Sequence, residues 1–143
     1  MPDNGEALPL DKCFILREGS DLTLITWGAM VKETLEAAEI LAQKNISAEV
    51  IDVATVKPID IGTIIESVEK TGRVVIIHEA ARHCGVGAEI AAQIGEYCLD
   101  SLLAPIQRVT GYDTVMPYLK MEKIYIPSAK QIVDAATSIL EFS

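Results

Sequence analysis

The stretch His78–Ile90, HEAARHCGVGAEI, concentrates more reactive side chains than any other part of the chain. A metal site would need three or four converging ligands, and His78, Glu79, His83 and Cys84 have neither the helical HExxH spacing nor a paired CxxC. A Cys84 nucleophile with His83 or His78 as base is conceivable, because a helix N-terminus lowers a thiol pKa. Adjacent residues seldom face each other, however, and no third group is evident to orient the base. Gly85 and Gly87, with Arg82, could let the backbone cradle a small anion at a helix start. A lone Gly-x-Gly without a third glycine is equally suited to tight strand–helix packing. The favoured reading is a polar loop whose Glu79 and Arg82 satisfy backbone groups or touch another protein.

The elements that must position this loop are legible from patterning. CFILREG and DLTLITWG read as short strands, and the intervening EGSD has turn chemistry that suggests a local hairpin. From Ala29 to Lys44 the residues Val31, Leu35, Ala38, Leu41 and Ala42 recur at helical spacing, with Asn45 as a left-handed stop. AEVIDVA is a nearly continuous apolar run, as expected of a parallel strand covered on both faces. Asp60 can cap a helix carrying Ile61, Ile64, Ile65 and Val68 that ends at KTG. RVVIIHEA reads as a central strand, and GVGAEIAAQIGEYCLDSL as a helix with Ile90, Ile94 and Tyr97 inward. APIQRVTG is a further strand, followed by a long irregular connection containing VMPY and YIP. Ser128 and Gln131 form a capping-box pattern for a last helix with Ile132, Val133, Ala136, Ile139 and Leu140 inward. Alternating strands and helices predict an α/β/α sandwich with a mostly parallel sheet, because parallel neighbours need crossover connections. In such a sheet the His78 loop would lie beyond the C-terminal strand ends, where ligands usually bind.

Composition narrows the function classes. The chain has 143 residues, a formal charge of −9 and 50% hydrophobic residues. The charge disfavours nucleic acid and anionic membrane, but it suits a basic protein partner. No apolar run approaches the roughly 20 residues that span a bilayer, and the acidic leader lacks signal-peptide character, so a cytoplasmic location is expected. Cys13, Cys84 and Cys98 are odd in number and form no CxxC, which suits reduced thiols acting as small buried hydrophobes. TWGAMVKET has one glycine and no following phosphate-binding lysine, which argues against a dinucleotide or P-loop site.

Five segments in order, REGSDLTLITWGAMVKETLEAAEIL, ISAEVIDVATVKPIDIGTIIESVEKTGRVVIIHEA, GVGAEIAA, APIQRVTGYDTVMPY and YIPSAKQIVDAA, closely resemble a known family. It is the C-terminal third of the β subunit of thiamine-diphosphate-dependent 2-oxoacid dehydrogenases, the pyruvate and branched-chain decarboxylase components. DVATVKPID is the most specific of these motifs. The resemblance implies a transketolase C-terminal-type fold, a three-layer α/β/α sandwich whose five-stranded, mostly parallel sheet has one antiparallel edge strand. That edge strand, CFIL, would lie beside the third strand and not in the local hairpin. Residues 1–11 would be the end of an interdomain linker, and 12–143 the domain.

The resemblance further implies a pyruvate-type parent that decarboxylates a 2-oxoacid on thiamine diphosphate with magnesium and reductively acylates a lipoyl group. Cofactor and catalytic histidine belong to parts outside this chain, so neither a cofactor nor catalytic residues are expected here, and the domain alone should be inactive. The implied partners are an α subunit, a second β subunit and the basic subunit-binding domain of the lipoyl acyltransferase. The high apolar content also suggests a homodimer in isolation. Candidate partner-binding residues are Glu79 and Arg82 in the loop, with Asp100, Leu103, Phe142 and Ser143. In many family members an acidic residue stands where this chain has Leu103, and Asp100 lies three residues earlier. The alternatives are the equivalent domain of a transketolase or deoxyxylulose phosphate synthase, or a small-anion-binding module.

Overall fold

A computed structural model describes residues 8–117 and 120–142, apart from the side chain of Lys123. The chain forms β1 (Phe14–Arg17), β2 (Leu22–Thr26), α1 (Met30–Gln43), β3 (Ala48–Asp52), α2 (Ile61–Thr71), β4 (Val74–Ala81), α3 (Val86–Cys98), β5 (Gln107–Gly111), α4 (Glu122–Tyr125) and α5 (Ala129–Leu140). One sheet runs in the order β1-β3-β2-β4-β5, and only the β1–β3 pair is antiparallel. Helices α1 and α5 cover one face, over Leu22, Leu24, Val50, Val75 and Ile77; α2 and α3 cover the other, over Ile25, Ile51, Val74 and Ile76. Both faces of the central strands are therefore buried, which is why those strands are mostly apolar, with Thr23, Thr26 and Glu49 as buried polar exceptions.

The hairpin suggested by EGSD does not form. Instead, the backbone amides of Ser20 and Asp21 donate to the Ser47 carbonyl, and the Asp21 carboxylate accepts from Ser47 N at 2.7 Å. The turn groups are thus used on the start of β3. Gly19 passes so close that a Cβ there would lie 2.1 Å from Glu49 N, which only glycine permits. This crossing carries the chain over β3, so β1 joins the outer edge and β2 the interior.

The expected stops and caps are present. Asn45 has φ 60° and Gly72 φ 67°, each ending its helix in the left-handed region. Ser128 and Gln131 form the reciprocal capping box of α5. Asp60 accepts from Thr63 N and Thr63 Oγ1 at the start of α2, and also from Cys13 N at 3.1 Å, so one carboxylate caps a helix and anchors the edge strand. Burial works to raise the Asp60 carboxyl, but these hydrogen bonds and Lys12 outweigh it and hold it below its ordinary value.

Other expectations need correction. Tyr97 is 63% exposed, because α3 turns its Ile90, Ile94 and Cys98 stripe to the sheet and Tyr97 falls outside it. The helix stops at Cys98 and continues only as a 3₁₀ turn, Leu99–Ser101. Cys13 and Cys98 are buried, whereas Cys84 is exposed. The irregular connection after β5 contains the short helix α4.

Near the N-terminal strand ends, on the α2 side, lies a buried polar layer. Thr23 Oγ1 shares hydrogen bonds with Ser67 Oγ at 2.7 Å and Thr71 Oγ1 at 2.8 Å. Beside it the fully buried Glu49 side chain pairs with Lys70, which is 42% exposed. Burial alone would raise the Glu49 carboxyl; the bonds from Lys70, Ser67 and Gly19 N outweigh it and hold the group below its usual range. A depressed carboxyl contributes stability that is present above its unfolded pKa and lost as pH falls through the folded one. Lys70→Met removes the partner and strands a buried carboxylate. It should cost about 1–3 kcal/mol at pH 7, the partial exposure of Lys70 keeping this below the cost for a fully buried pair. Near pH 3, where Glu49 is protonated in the variant, the cost should largely vanish. Urea denaturation of both proteins at the two pH values measures the difference, and an equal cost at both would contradict this account.

Candidate functional site

In this topology β2 leads into α1 on one face and β4 into α3 on the other. The switch point lies between the C-terminal ends of β2 and β4, where open α/β sheets usually bind ligands. The parallel register Thr23↔Val74, Leu24↔Val75 and Ile25↔Ile76, continued by two residues, sets Trp27 beside His78. Their rings stack with centroids 5.2 Å apart and planes within 14°. The crevice is thereby filled by the protein's own aromatic pair.

The glycines of the loop complete this closure. A Cβ on Gly87 would lie 2.5 Å from His78 Nε2, and one on Gly85 would lie 3.0 Å from His78 Cε1 and 2.7 Å from the Ala81 carbonyl. Gly85 and Gly87 thus admit the imidazole edge against the first turn of α3, and they are spent on packing and not on an anion. His78 is 1% exposed, and neither ring nitrogen has a hydrogen-bond partner among the described residues. Burial first, then Arg108 and Arg82, hold this imidazole below the ordinary histidine range, and the Ala80 backbone pulls the other way.

The two histidines do not meet Cys84. The His83 ring bonds through Nδ1 to the Asp113 carboxylate, which also accepts from His83 N at 3.0 Å. Cys84 stands exposed with φ 58° and makes no hydrogen bond to either ring among the described residues. Cys13 is no substitute, because burial, then Asp60 and Asp52, push its thiol up to about 12. The described residues also contain no cluster of three or more His, Cys, Asp or Glu arranged to hold a metal ion. Thiamine diphosphate with magnesium, implied for the parent, needs oxygen ligands and open amides for its diphosphate. The filled crevice and the occupied start of α3 do not fit that group.

The remaining candidates divide into two surfaces. Glu79 and Arg82 are exposed at the C-terminal end of β4, where Arg82 donates to the Arg108 carbonyl at 2.9 Å and Arg108 returns a bond to the Arg82 carbonyl at 3.2 Å. Asp100, Leu103 and Phe142 are exposed near the opposite end, beyond the length of the eight-residue β4, roughly 25 Å. There Leu103 N donates to the Gly72 carbonyl at 2.7 Å, and Arg73 Nε to the Ile139 carbonyl at 3.3 Å. Leu103 and the end of α5 are therefore both fastened to the Gly72–Arg73 corner. Ser143, the leader up to Ala7, and Tyr118 of the Met-Pro-Tyr motif lie outside the described residues. Sequence reasoning missed an apolar groove of about 250 Å³ formed by Tyr112, Val115, Met121, Ile124 and neighbours. Its only signal was the unusual share of apolar residues in the connection after β5.

The architecture is that of an α/β/α domain with a five-stranded mixed sheet. The comparisons agree with it: the family described as Transketolase, C-terminal domain matches residues 11–132, and the chain belongs to that family. It is 46% identical over 142 residues to the pyruvate dehydrogenase E1 component subunit beta of Staphylococcus epidermidis, and 44% identical to that of Bacillus subtilis. In each case 99% of this chain aligns with 44% of the relative, so the chain spans less than half the length of these proteins. A split-gene transketolase, solved as an inactive β4 tetramer, matches with a TM-score of 0.83 and 32% identity, over 99% of this chain and 45% of that one. No helix among the described residues is long and apolar enough to cross a membrane.

Gly87→Ala tests the packing role of the glycines. The added methyl must displace His78 from its stack, a cost of about 1–3 kcal/mol of the kind seen on overpacking a core. A urea midpoint unchanged from the parent chain would show that the closure is not tight.

Proposed function

We propose that this chain is the assembly and partner-docking domain of the β subunit of a 2-oxoacid dehydrogenase of the pyruvate type. The observation that carries this reading is the closed switch point: the place where such a sheet would bind a ligand is occupied by Trp27 and His78, and the exposed surfaces are left for protein contacts. Alignment of 99% of the chain with proteins named as pyruvate dehydrogenase β subunits supports the parentage. The parent enzyme decarboxylates a 2-oxoacid using thiamine diphosphate and magnesium held outside this chain, and passes the acyl group to a lipoyl arm. The partners of this domain are an α subunit, a second β subunit and the lipoyl acyltransferase, in the cytoplasm. The naming of the transketolase relative as a β4 tetramer supports contacts between β chains.

Asp100, Leu103 and the chain end are the proposed docking surface for the basic subunit-binding domain of the acyltransferase. The net charge of −9 steers such a partner. Leu103 is 58% exposed, with part of its side chain packed on Gly72, so a carboxylate introduced there would reach solvent. Exposed ion pairs contribute about 0.2–1 kcal/mol, and Leu103→Glu should therefore tighten binding modestly, with an effect that shrinks as salt rises. Titration of the subunit-binding domain at two ionic strengths measures this; weaker binding by the variant would remove Leu103 from the surface. Calorimetry with thiamine diphosphate and magnesium should give no saturable heat with the chain alone, and micromolar binding would overturn the proposed division of labour.

A further inference from the structure

We propose that the Trp27–His78 stack is a pH-sensitive keystone, in which protonation of His78 expels its ring from the β2–β4 junction and frees the connection from Glu79 to Gly85. The geometry leaves the neutral ring no room for a counter-charge. His78 is 1% exposed and lies face to face with Trp27, and its edge abuts Gly85 and Gly87 at the start of α3. Apart from the Ala80 backbone, which favours the proton, every described element packed on it adds either nothing or positive charge. β2 presents the uncharged Trp27, β5 presents Arg108, the end of β4 presents Arg82, and α3 presents the positive end of its dipole. The acidic groups nearby are turned elsewhere: Glu89 of α3 is exposed and bonds Gln93, Asp113 is held by His83, and Glu79 is exposed.

A proton from solvent adds to a ring nitrogen lone pair, and among the described residues the resulting imidazolium has no carboxylate against it and almost no contact with solvent. Burial, Arg108 and Arg82 all oppose that charge, so the neutral form persists below the ordinary histidine range. For a base with a depressed folded pKa, the lost stability appears as pH falls below the unfolded value, about 6.5, and grows until the folded value is reached. The nearest relief is local, because β4 is already irregular here: the β4–β5 register shifts between His78 and Ala81. The ring can leave by releasing this bulge and the α3 entry while the helices on the other face stay in place.

The chain has one tryptophan and two histidines, which makes the test specific. Trp27 emission of the full chain is followed between roughly pH 7 and 4.5, with far-UV circular dichroism and amide exchange of residues 79–85. The expected result is a one-proton red shift below pH 6.5, with accelerated exchange in the connection and unchanged helical signal. His83→Asn should keep the transition, and His78→Gln should abolish it. If His78→Gln does not fold, NMR of the two histidine rings in the parent chain decides, since the His78 resonance must titrate in step with Trp27 emission. Constant emission over this range, a shift that follows His83, or a shift coincident with loss of the helical signal would each overturn the proposal.

Discussion

Two parallel strands cannot be joined by a tight turn, and that constraint organises this molecule. β2, β3, β4 and β5 all run in one direction, so each link between them must cross the sheet through a helix. Right-handed crossovers then assign the helices to faces: the step from β2 outward to β3 places α1 on one side, and the steps to β4 and β5 place α2 and α3 on the other. The reversal of direction creates a cleft between β2 and β4. Whatever occupies that cleft decides whether the domain is a ligand site or a scaffold.

Here the chain fills it with its own side chains. Trp27 and His78 come from adjacent strands on the same face and stack, and two glycines bring the start of α3 against the imidazole edge. At the other end of the same face, Glu49, Lys70, Thr23, Ser67 and Thr71 form a polar layer whose groups are largely satisfied within the protein. Between these ends lies a dry core of Ile25, Ile51, Val74 and Ile76. With the β2–β4 cleft filled in this way the domain offers its outer surfaces, and these are where the exposed Leu103, Tyr97, Phe142, Val115 and Ile124 lie.

Much of this was legible in the sequence because the signals are local. The capping and stop roles of Asp60, Ser128 with Gln131, Asn45 and Gly72 are exerted within one helical turn of their own positions, and each is what its residue type predicts. The apolar runs of β3 and β4 announce two-sided burial without any knowledge of neighbours. Tyr97 failed because helical spacing defines a stripe but not its width, and α3 buries the Gly87–Ile90–Ile94–Cys98 line, which leaves Tyr97 outside. The turn between β1 and β2 failed for a different reason: EGSD has hairpin chemistry, but Ser47 takes its amides.

The sequence by itself determined the class of fold, the end of α1, both ends of α2, the start of α5 and the family, since capping, periodicity and motif order are properties of neighbouring residues. It also determined the cluster of reactive side chains from His78 to Cys84, but not what they do. That was decided by tertiary structure alone, because Trp27 and His78 are 51 positions apart and meet only when β2 and β4 align. The same alignment turns His83 toward Asp113 and away from Cys84, so residues adjacent in the chain are separated in function. Long-range register is the physical reason: a strand fixes which face a side chain takes, and only its partner fixes what it meets there.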